Sequence, residues 1–331
     1  MELTKIRLLR ILEILRETDE DHPYTAHQLK EKLMLFGIEA ERKAILRDVS
    51  ALQECGYEIL LHADNKRGYY LAAREFEDWE LKVLMDAAVG ANFLTEENSK
   101  KLADKLCALS SREGQKTLKG ATPILSRVKN GNPTTKNAID LILTAIRRKK
   151  TVSFQYLYTD GNLEKKLSYD GMQYSISPYA LIWRQDKYYL IGSHNKYQTL
   201  SYYRLDRIKN AEITEESILP KEEILGQNAD WKLRDFVNRN LLNYSGATTC
   251  VTLAVDRNMM GIVEDAFGDQ YETVSLNETQ ARIRVTVSDG WGLNNWLLQH
   301  GDSVQVLEPQ AVRDSVLRLI EDIKSRYSND L

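Results

Sequence analysis

The 331-residue sequence has no long apolar run, few cysteines and few histidines. It contains no stretch of about 18 apolar residues, which excludes a membrane-spanning helix. Its first residues form a charged amphipathic pattern, which is not that of a signal peptide. Cys55, Cys107 and Cys250 have neither zinc-ligand spacing nor a disulfide pattern. We therefore expect a protein of the reducing cytoplasm that has no bound metal or cofactor.

Common catalytic motifs are also missing. The sequence has no G-x-S-x-G, H-E-x-x-H, H-x-E or G-x-G-x-x-G motif and no complete phosphate-binding loop. Its five histidines are scattered, so nothing in the sequence positions a nucleophile or a metal ion. We therefore expect no catalytic residues, and an enzyme acting on nucleotides is the least favoured of three functions considered.

Positive charge is concentrated in the middle of the chain, although the net charge is only −3. Residues 147–210 contain 12 Lys/Arg against 5 Asp/Glu, together with ten of the 17 tyrosines. Basic residues interleaved with aromatic rings favour an anionic ligand with flat rings, such as a nucleotide or a single strand. The alternative is a tyrosine-rich β-domain with a solvated basic face.

The first 72 residues have the pattern of three helices followed by a β-hairpin. Apolar residues recur every three positions from Leu3 to Leu15, which predicts an amphipathic helix with one buried stripe. Thr25 is a suitable N-cap for a second helix over residues 26–35. A third helix is predicted over residues 40–54, and two short β-like runs, 57–61 and 68–71, follow it.

This order of elements indicates a winged helix-turn-helix, whose third helix enters the major groove of DNA. The predicted DNA contacts are Arg42, Lys43, Leu46 and Arg47 on the third helix, and Lys66 and Arg67 at the hairpin tip. The alternative is a three-helix protein-interaction module. The acidic balance of residues 1–72, with 11 Lys/Arg against 13 Asp/Glu, supports that alternative, but six of the acids lie within residues 13–31, before the third helix, so DNA binding is the preferred interpretation.

Three further regions complete the predicted organisation, a multidomain α+β protein. Residues 73–135 are predicted as a helical connector that becomes a Ser-, Gly- and Lys-rich linker from about residue 110. Residues 136–240 begin with a helix and continue as short period-two strands, which predicts a strongly bent antiparallel barrel. Residues 245–331 read β-α-β-β-α-β and a final helix, the order of a ferredoxin-like unit. Trp291 and Trp296 are interpreted there as packing residues, and the final helix as a dimer or interdomain contact.

Several motifs resemble those of WYL-domain transcriptional regulators. Residues 47–56 and 67–71 are similar to the family's N-terminal module. The recognition-helix pattern Arg-Thr-apolar-x-Arg-Asp matches at Arg47 and Asp48, whereas Lys43 and Ala44 replace its first two residues. Asp48 is expected to orient Arg47 or a neighbour, because a carboxylate facing phosphate is repulsive.

The central and C-terminal regions carry the same resemblance. Residues 177–181, 187–192 and 203–208 are similar to three motifs of the WYL domain in the family's order, with Tyr188-Tyr189-Leu190 at the naming triplet. Residues 296–309 resemble the C-terminal extension of these regulators. The resemblance implies an Sm-like or SH3-like β-barrel with a basic groove for nucleotides or nucleic-acid fragments. The ligand-binding candidates are Tyr179, Lys187, His194, Arg204 and Arg207, because arginines hold phosphate bidentately and tyrosines stack on bases.

Two functions follow from these observations. The first is a DNA-binding transcriptional regulator, expected to be a homodimer, whose central domain senses a nucleotide or nucleic-acid fragment. The second is an accessory single-strand-binding protein that modulates a defence-system enzyme, with the N-terminal module as a docking surface.

Overall fold

A computed structural model describes residues 2–62, 68–122, 134–241 and 246–328. The chain divides into two compact units, residues 1–133 and 134–331. Within the described ranges it mixes helices with three β-sheets, and its N-terminal region is mainly helical. This is the mixed α and β class that the sequence predicts. No helix in these ranges is both long enough and apolar enough to cross a bilayer.

Three helices form the start of the first unit: α1 (Glu2–Leu15), α2 (Ala26–Met34) and α3 (Arg42–Glu54). As predicted, Thr25 caps α2. Its hydroxyl accepts a hydrogen bond from the Gln28 backbone N–H at 3.2 Å, and the Gln28 side chain accepts one from the Thr25 N–H at 2.8 Å. The helices share a core that includes Ile11, Leu15, Leu29, Leu33, Ile45, Val49 and Leu52.

The buried face of α1 differs from the predicted stripe. Ile6 and Leu9 are exposed, whereas Ile11, Leu12, Ile14 and Leu15 are buried. A three-residue spacing rotates about 60° per step around a helix of 3.6 residues per turn, so five such positions cannot share one face. The prediction of a single stripe from Leu3 to Leu15 is therefore wrong.

A small antiparallel sheet accompanies these helices. Its strands are β1 (Tyr24–Thr25), β2 (Ile59–Leu61) and β3 (Gly68–Leu71), in the order β1-β3-β2. The β2–β3 pair is the predicted hairpin, and β1 was not predicted. A Cβ at Gly68 would lie 2.7 Å from the Pro23 Cβ, so only glycine lets β1 approach β3 at this point.

The connector, residues 73–135, contains a helix in the part that was predicted to be a linker. Helices α4 (Asp78–Gly90), α5 (Glu96–Cys107) and α6 (Arg112–Ala121) share buried apolar residues. The linker predicted from residue 110 is therefore wrong for residues 112–121. The Ser111 hydroxyl accepts from the Gly114 N–H at 3.0 Å and caps α6, while Leu118 is buried in the shared core.

The second unit begins with α7 (Thr134–Arg148) and a bent antiparallel sheet. The strands are β4 (Lys150–Thr159), β5 (Lys165–Leu167), β6 (Tyr174–Arg184), β7 (Lys187–His194), β8 (Leu200–Arg204) and β9 (Ile208–Ser217). Their order is β5-β4-β6-β7-β8, and β9 also pairs with β4. The alternating pattern of the sequence predicts strands over residues 152–156, 176–183, 187–191 and 201–205, and all four are present as β4, β6, β7 and β8. Strands β5 and β9 were not predicted. Ile142 of α7 packs with Phe154, Leu190 and Leu205 of the sheet region in one core.

Two further unpredicted helices, α8 (Lys221–Leu225) and α9 (Ala229–Arg239), follow this sheet. The Phe236 ring of α9 stacks on the Tyr202 ring of β8, with 5.0 Å between centroids. Leu241, just after α9, belongs to the core of the C-terminal region. The segment from α9 to Leu241 therefore packs on both parts of the second unit.

The C-terminal region has the predicted order of elements. It consists of β10 (Thr248–Asp256), α10 (Met260–Phe267), β11 (Tyr271–Leu276), β12 (Gln280–Ser288), α11 (Trp291–Gln299), β13 (Val304–Glu308) and α12 (Gln310–Ser328). The sheet is antiparallel, in the order β11-β12-β10-β13. Trp296 packs on Phe267 as a buried residue, whereas Trp291, the first residue of α11, is 55% exposed.

Candidate functional site

One side of α3 carries exposed positive charge. Arg42, Lys43 and Arg47 are exposed, and Leu46 is half-buried. Ile45, Val49 and Leu52 on the opposite side are buried in the core. Because residues three or four apart lie on the same side of a helix, the side chains at positions 43, 46 and 47 lie next to one another on that exposed side. The helix therefore presents a cationic surface to solvent.

A buried ion pair fixes α3 against α1. The Arg7 Nε donates to the Asp48 Oδ2 at 2.5 Å, and the Arg7 Nη2 donates to Oδ1 at 3.3 Å. The hydrogen bond from Arg7 to Asp48 raises the pKa of Arg7 in spite of burial. Asp48 therefore orients Arg7 on the neighbouring helix. Arg47 donates instead to the Lys43 carbonyl at 3.4 Å and stays exposed.

The other two predicted DNA contacts, Lys66 and Arg67, lie outside the described residues.

A second group of cations meets where β8 ends. Arg204, the last residue of β8, holds the Asp206 carboxylate with two hydrogen bonds, from Nε at 3.1 Å and from Nη2 at 2.7 Å. Burial raises the pKa of Asp206, but the Arg204 hydrogen bonds and the charges of Arg204, Lys187 and Arg207 outweigh it and lower that pKa. Three cations therefore lie around one carboxylate, and the local charge is positive.

Arg204 and Arg207 differ in their contacts. The guanidinium of Arg204 is hydrogen-bonded to the Asp206 carboxylate. Within the described part of the chain, the guanidinium of Arg207 has no hydrogen-bonding or ion-pair partner, and its side chain is half-buried. Arg207 ends the short 3₁₀ turn Leu205–Arg207 that follows β8. The turn thus brings one occupied and one unoccupied guanidinium to the same end of the sheet.

Tyrosines lie beside these cations. The Tyr156 hydroxyl accepts from the Arg204 backbone N–H at 2.9 Å. Burial raises the pKa of Tyr156, whereas that N–H and the two arginines oppose the shift. Tyr189 lies directly opposite Arg204 in the β7–β8 pairing and is buried. The cation group defined by Lys187, Arg204 and Arg207 is therefore bordered by aromatic residues.

Two predicted ligand contacts lie away from this group. Tyr179 is buried and its hydroxyl donates to the Leu219 carbonyl at 2.8 Å, and burial raises its pKa to about 12. His194 lies at the other end of β7, five residues beyond Tyr189, which corresponds to roughly 17 Å along a strand. The His194 ring lies 4.8 Å from the Tyr197 ring, and burial lowers its pKa. The Tyr179 hydroxyl is therefore already hydrogen-bonded, and His194 lies on a different part of β7 from Tyr189.

Two neighbours of the cation group, Arg184 and Tyr156, were not predicted from the sequence. Arg184 pairs directly with Lys187 across the two-residue turn Gln185–Asp186. A two-residue turn between alternating segments predicts a tight hairpin, and the hairpin places its flanking residues opposite each other. That signal was available in the sequence for Arg184. Tyr156 reaches Arg204 through the fold of the sheet, which no local pattern shows.

Comparison with known proteins gives two matched domains. Residues 137–213 match the WYL domain, and residues 247–323 match the WCX domain. The cation group therefore lies in a segment that matches a WYL domain, and the C-terminal region lies in a segment that matches a WCX domain.

One curated relative is the uncharacterized HTH-type transcriptional regulator YobV of Bacillus subtilis (strain 168). It is 23% identical over 198 residues, which cover 58% of this chain and 56% of that protein. The match therefore spans about half the length of the relative.

Two solved structures are also similar. They are the proteasome accessory factor B/C (PafBC) of Arthrobacter aurescens, with 18% identity over 97% of this chain and 48% of that chain, and a CRISPR Cas-related protein, with 12% identity over 78% and 75%. Their TM-scores are 0.31 and 0.40, too low for either likeness to bear on function.

Proposed function

We propose that this chain is a DNA-binding transcriptional regulator whose WYL domain senses a nucleotide or nucleic-acid fragment. The cation group at the end of β8 carries the proposal, because it combines an unoccupied guanidinium, a second arginine and a lysine beside tyrosine rings. Arginine and lysine bind phosphate, and aromatic rings stack on bases. The curated relative is named an HTH-type transcriptional regulator, which supports this function.

Each residue of the group has a separate proposed role. Arg207 contacts the phosphate, because its guanidinium is available. Lys187 adds a positive charge near the same place. Arg204 is a positioning residue, since its fork holds Asp206. Tyr179 and His194 are not part of this proposed contact set.

Duplex DNA is proposed to bind at the cationic side of α3. The folds of the individual domains are proposals as well: a winged helix-turn-helix for residues 1–72, an Sm-like barrel for residues 136–240 and a ferredoxin-like unit for residues 245–331. Their support is the order and pairing of the elements. The predicted domain boundaries follow the same division.

The effector site is tested with Arg207→Ala and the matched control Lys209→Ala, an exposed cation on the next strand. We expect Arg207→Ala to weaken binding of a fluorescent 5′-phosphorylated single strand by roughly 10-fold or more, because a charge-assisted phosphate contact is lost. Lys209→Ala should change it by less than about 3-fold, since an exposed charge contributes little. Equal losses in the two variants would overturn the assignment.

The duplex site is tested with the triple variant Arg42→Ala, Lys43→Ala and Arg47→Ala, using the DNA upstream of the chain's own gene. Each phosphate contact contributes about −0.9 to the slope of log affinity against log salt. The triple variant should therefore bind more weakly and flatten that slope by about 2–3. Lys100→Ala, an exposed cation of α5, serves as control. An unchanged slope would contradict duplex binding through α3.

The second candidate, an accessory single-strand-binding protein, is favoured by one observation. Residues 147–210 are strongly basic, whereas residues 1–72 are slightly acidic. Single-strand binding that requires Arg207, together with no sequence preference for any duplex, would support this candidate over the regulator.

A homodimer is proposed from the apolar side chains of α12. Leu317, Ile320 and Ile323 are exposed, and only Val312 of this 19-residue helix is buried. Their three-residue spacing puts neighbouring pairs on one side of the helix. Sedimentation at several concentrations should give a dimer for the wild type and a monomer for Ile320→Asp. A monomeric wild type would overturn the dimer.

A further inference from the structure

The cation group continues toward a cleft inside the second unit. Arg184 lies opposite Lys187 in the β6–β7 pairing, and Tyr189 lies opposite Arg204 in the β7–β8 pairing. Side chains two residues apart on a strand share a face, and directly paired residues do so too. Arg184, Lys187 and Arg204 therefore lie on one face of three adjacent strands.

That face is the one on which α9 packs. Tyr202 lies opposite Ile191, two residues after Tyr189, and stacks on Phe236 of α9. The Arg184 Nη1 donates to the Val237 carbonyl at 2.7 Å and to the Asn240 carbonyl at 3.2 Å. These two bonds use one nitrogen of the guanidinium and hold Arg184 at the junction between the WYL and WCX domains.

The junction cleft has a volume of about 440 Å³ and a lining of both apolar and polar residues. Its lining includes Arg184 and Gln185 from the WYL domain, and Asp265, Trp296, Gln299 and His300 from the WCX domain. The volume falls in the range of small-molecule sites. Trp296 is buried and its ring lies 5.2 Å from the His300 ring, so it fixes one side of that imidazole.

This lining has the chemistry to recognise a nucleobase. A histidine ring can stack on a base, and glutamine amides can both donate and accept hydrogen bonds. An ionised carboxylate only accepts, so Asp265 selects a base edge that carries an amino group and disfavours one that carries a carbonyl. Asp265 comes from α10 and Arg184 from β6, so the carboxylate and the guanidinium lie on different elements of the cleft.

We propose that the junction cleft binds the base of the nucleotide whose phosphate lies at the cation group, and that Asp265 selects amino-bearing bases. The proposal rests on the proposed effector site and adds its base specificity. It also makes the WCX domain part of the effector site, because Asp265, Gln299 and His300 belong to that domain.

Two matched nucleotide pairs test the base selection in the full-length chain. CMP and UMP differ at the 4-amino group, and GMP and IMP differ at the 2-amino group. We expect CMP to bind roughly 10-fold more tightly than UMP, and GMP more tightly than IMP, because one good base contact discriminates by about this factor. Asp265→Asn should remove the preference for CMP over UMP, since an amide also donates to the uracil carbonyl. Glu264→Gln, the exposed neighbour on α10, should keep it.

Further probes identify the source of the base and separate the two proposals. Single-stranded tetranucleotides that end in dC or dT show whether the ligand is a strand end, and a preference in either set of probes supports the cleft. Ribose 5-phosphate that binds as tightly as CMP, or a preference for CMP over UMP that Asp265→Asn retains, would overturn the proposed base site and leave the proposed effector site standing. Failure of every phosphate-bearing probe to bind would overturn both.

Discussion

The ion pair between Arg7 and Asp48 gives a prediction that tests how α3 is held. The two side chains are 17% and 10% exposed, so removal of Asp48 leaves the Arg7 charge largely buried without a partner. Breaking a fully buried pair from one side costs about 3–5 kcal/mol, and the partial exposure of Arg7 reduces this to about 2–4 kcal/mol. We therefore expect Asp48→Ala to lower the free energy of opening of α3 by that amount.

Hydrogen exchange measures this loss, because it reports α3 separately from residues 134–331. Glu54→Ala is the matched control, an exposed acid on the same helix, and it should change the free energy of opening by less than about 0.5 kcal/mol. Replacing both partners, Arg7→Met with Asp48→Leu, should recover most of the stability, since no buried charge remains. If Asp48→Ala leaves α3 protected to within about 0.5 kcal/mol of the wild type, the reasoning is wrong.

Three further predictions concern the WYL domain. Gly192→Ala should destabilise the chain by about 1–3 kcal/mol in chemical denaturation, because its Cβ would lie 2.5 Å from Ile176 Cγ2 and 2.7 Å from the Ser177 carbonyl oxygen; an unchanged midpoint would refute this. Tyr179→Phe should cost about 1 kcal/mol by loss of the bond to Leu219 and leave single-strand affinity unchanged, so a weaker affinity would return Tyr179 to the ligand site. Burial lowers the pKa of His194, so its NMR titration midpoint should fall below 6.5. The contribution of His194 to stability should be present above pH 6.5 and lost as the pH falls through the folded pKa. A midpoint above 6.5 would contradict the described environment.

Local patterns predicted most helices and strands but not all of their packing. The C-terminal elements were predicted in order, because each has strong periodicity or a clear turn. Helix α6 was missed because its polar sequence has one fully buried leucine, Leu118, so little apolar signal marks it. The predicted buried face of α1 was wrong because apolar residues lie on more than one side of that helix, and only tertiary packing decides which of them are buried.

The candidate site was predictable where neighbours in sequence are neighbours in space. Arg204 and Arg207 flank one short turn, and Lys187 lies on the adjacent strand β7. His194 lies elsewhere, because it is five residues beyond Tyr189 on β7 and positions along a strand separate by about 3.3 Å per residue. The availability of Arg207 and the occupation of Arg204 depend on Asp206, which spacing alone does not decide.

The central claim is that an effector bound at the cation group changes the affinity for duplex DNA. The most direct test is fluorescence anisotropy of the upstream duplex, titrated with a 5′-phosphorylated single strand, for the wild type and Arg207→Ala. We expect the single strand to shift the duplex Kd of the wild type and to leave that of Arg207→Ala unchanged. Without the single strand, Arg207→Ala should bind the duplex as the wild type does. An identical shift in both proteins, or a duplex Kd of the wild type that no single strand changes, would contradict it.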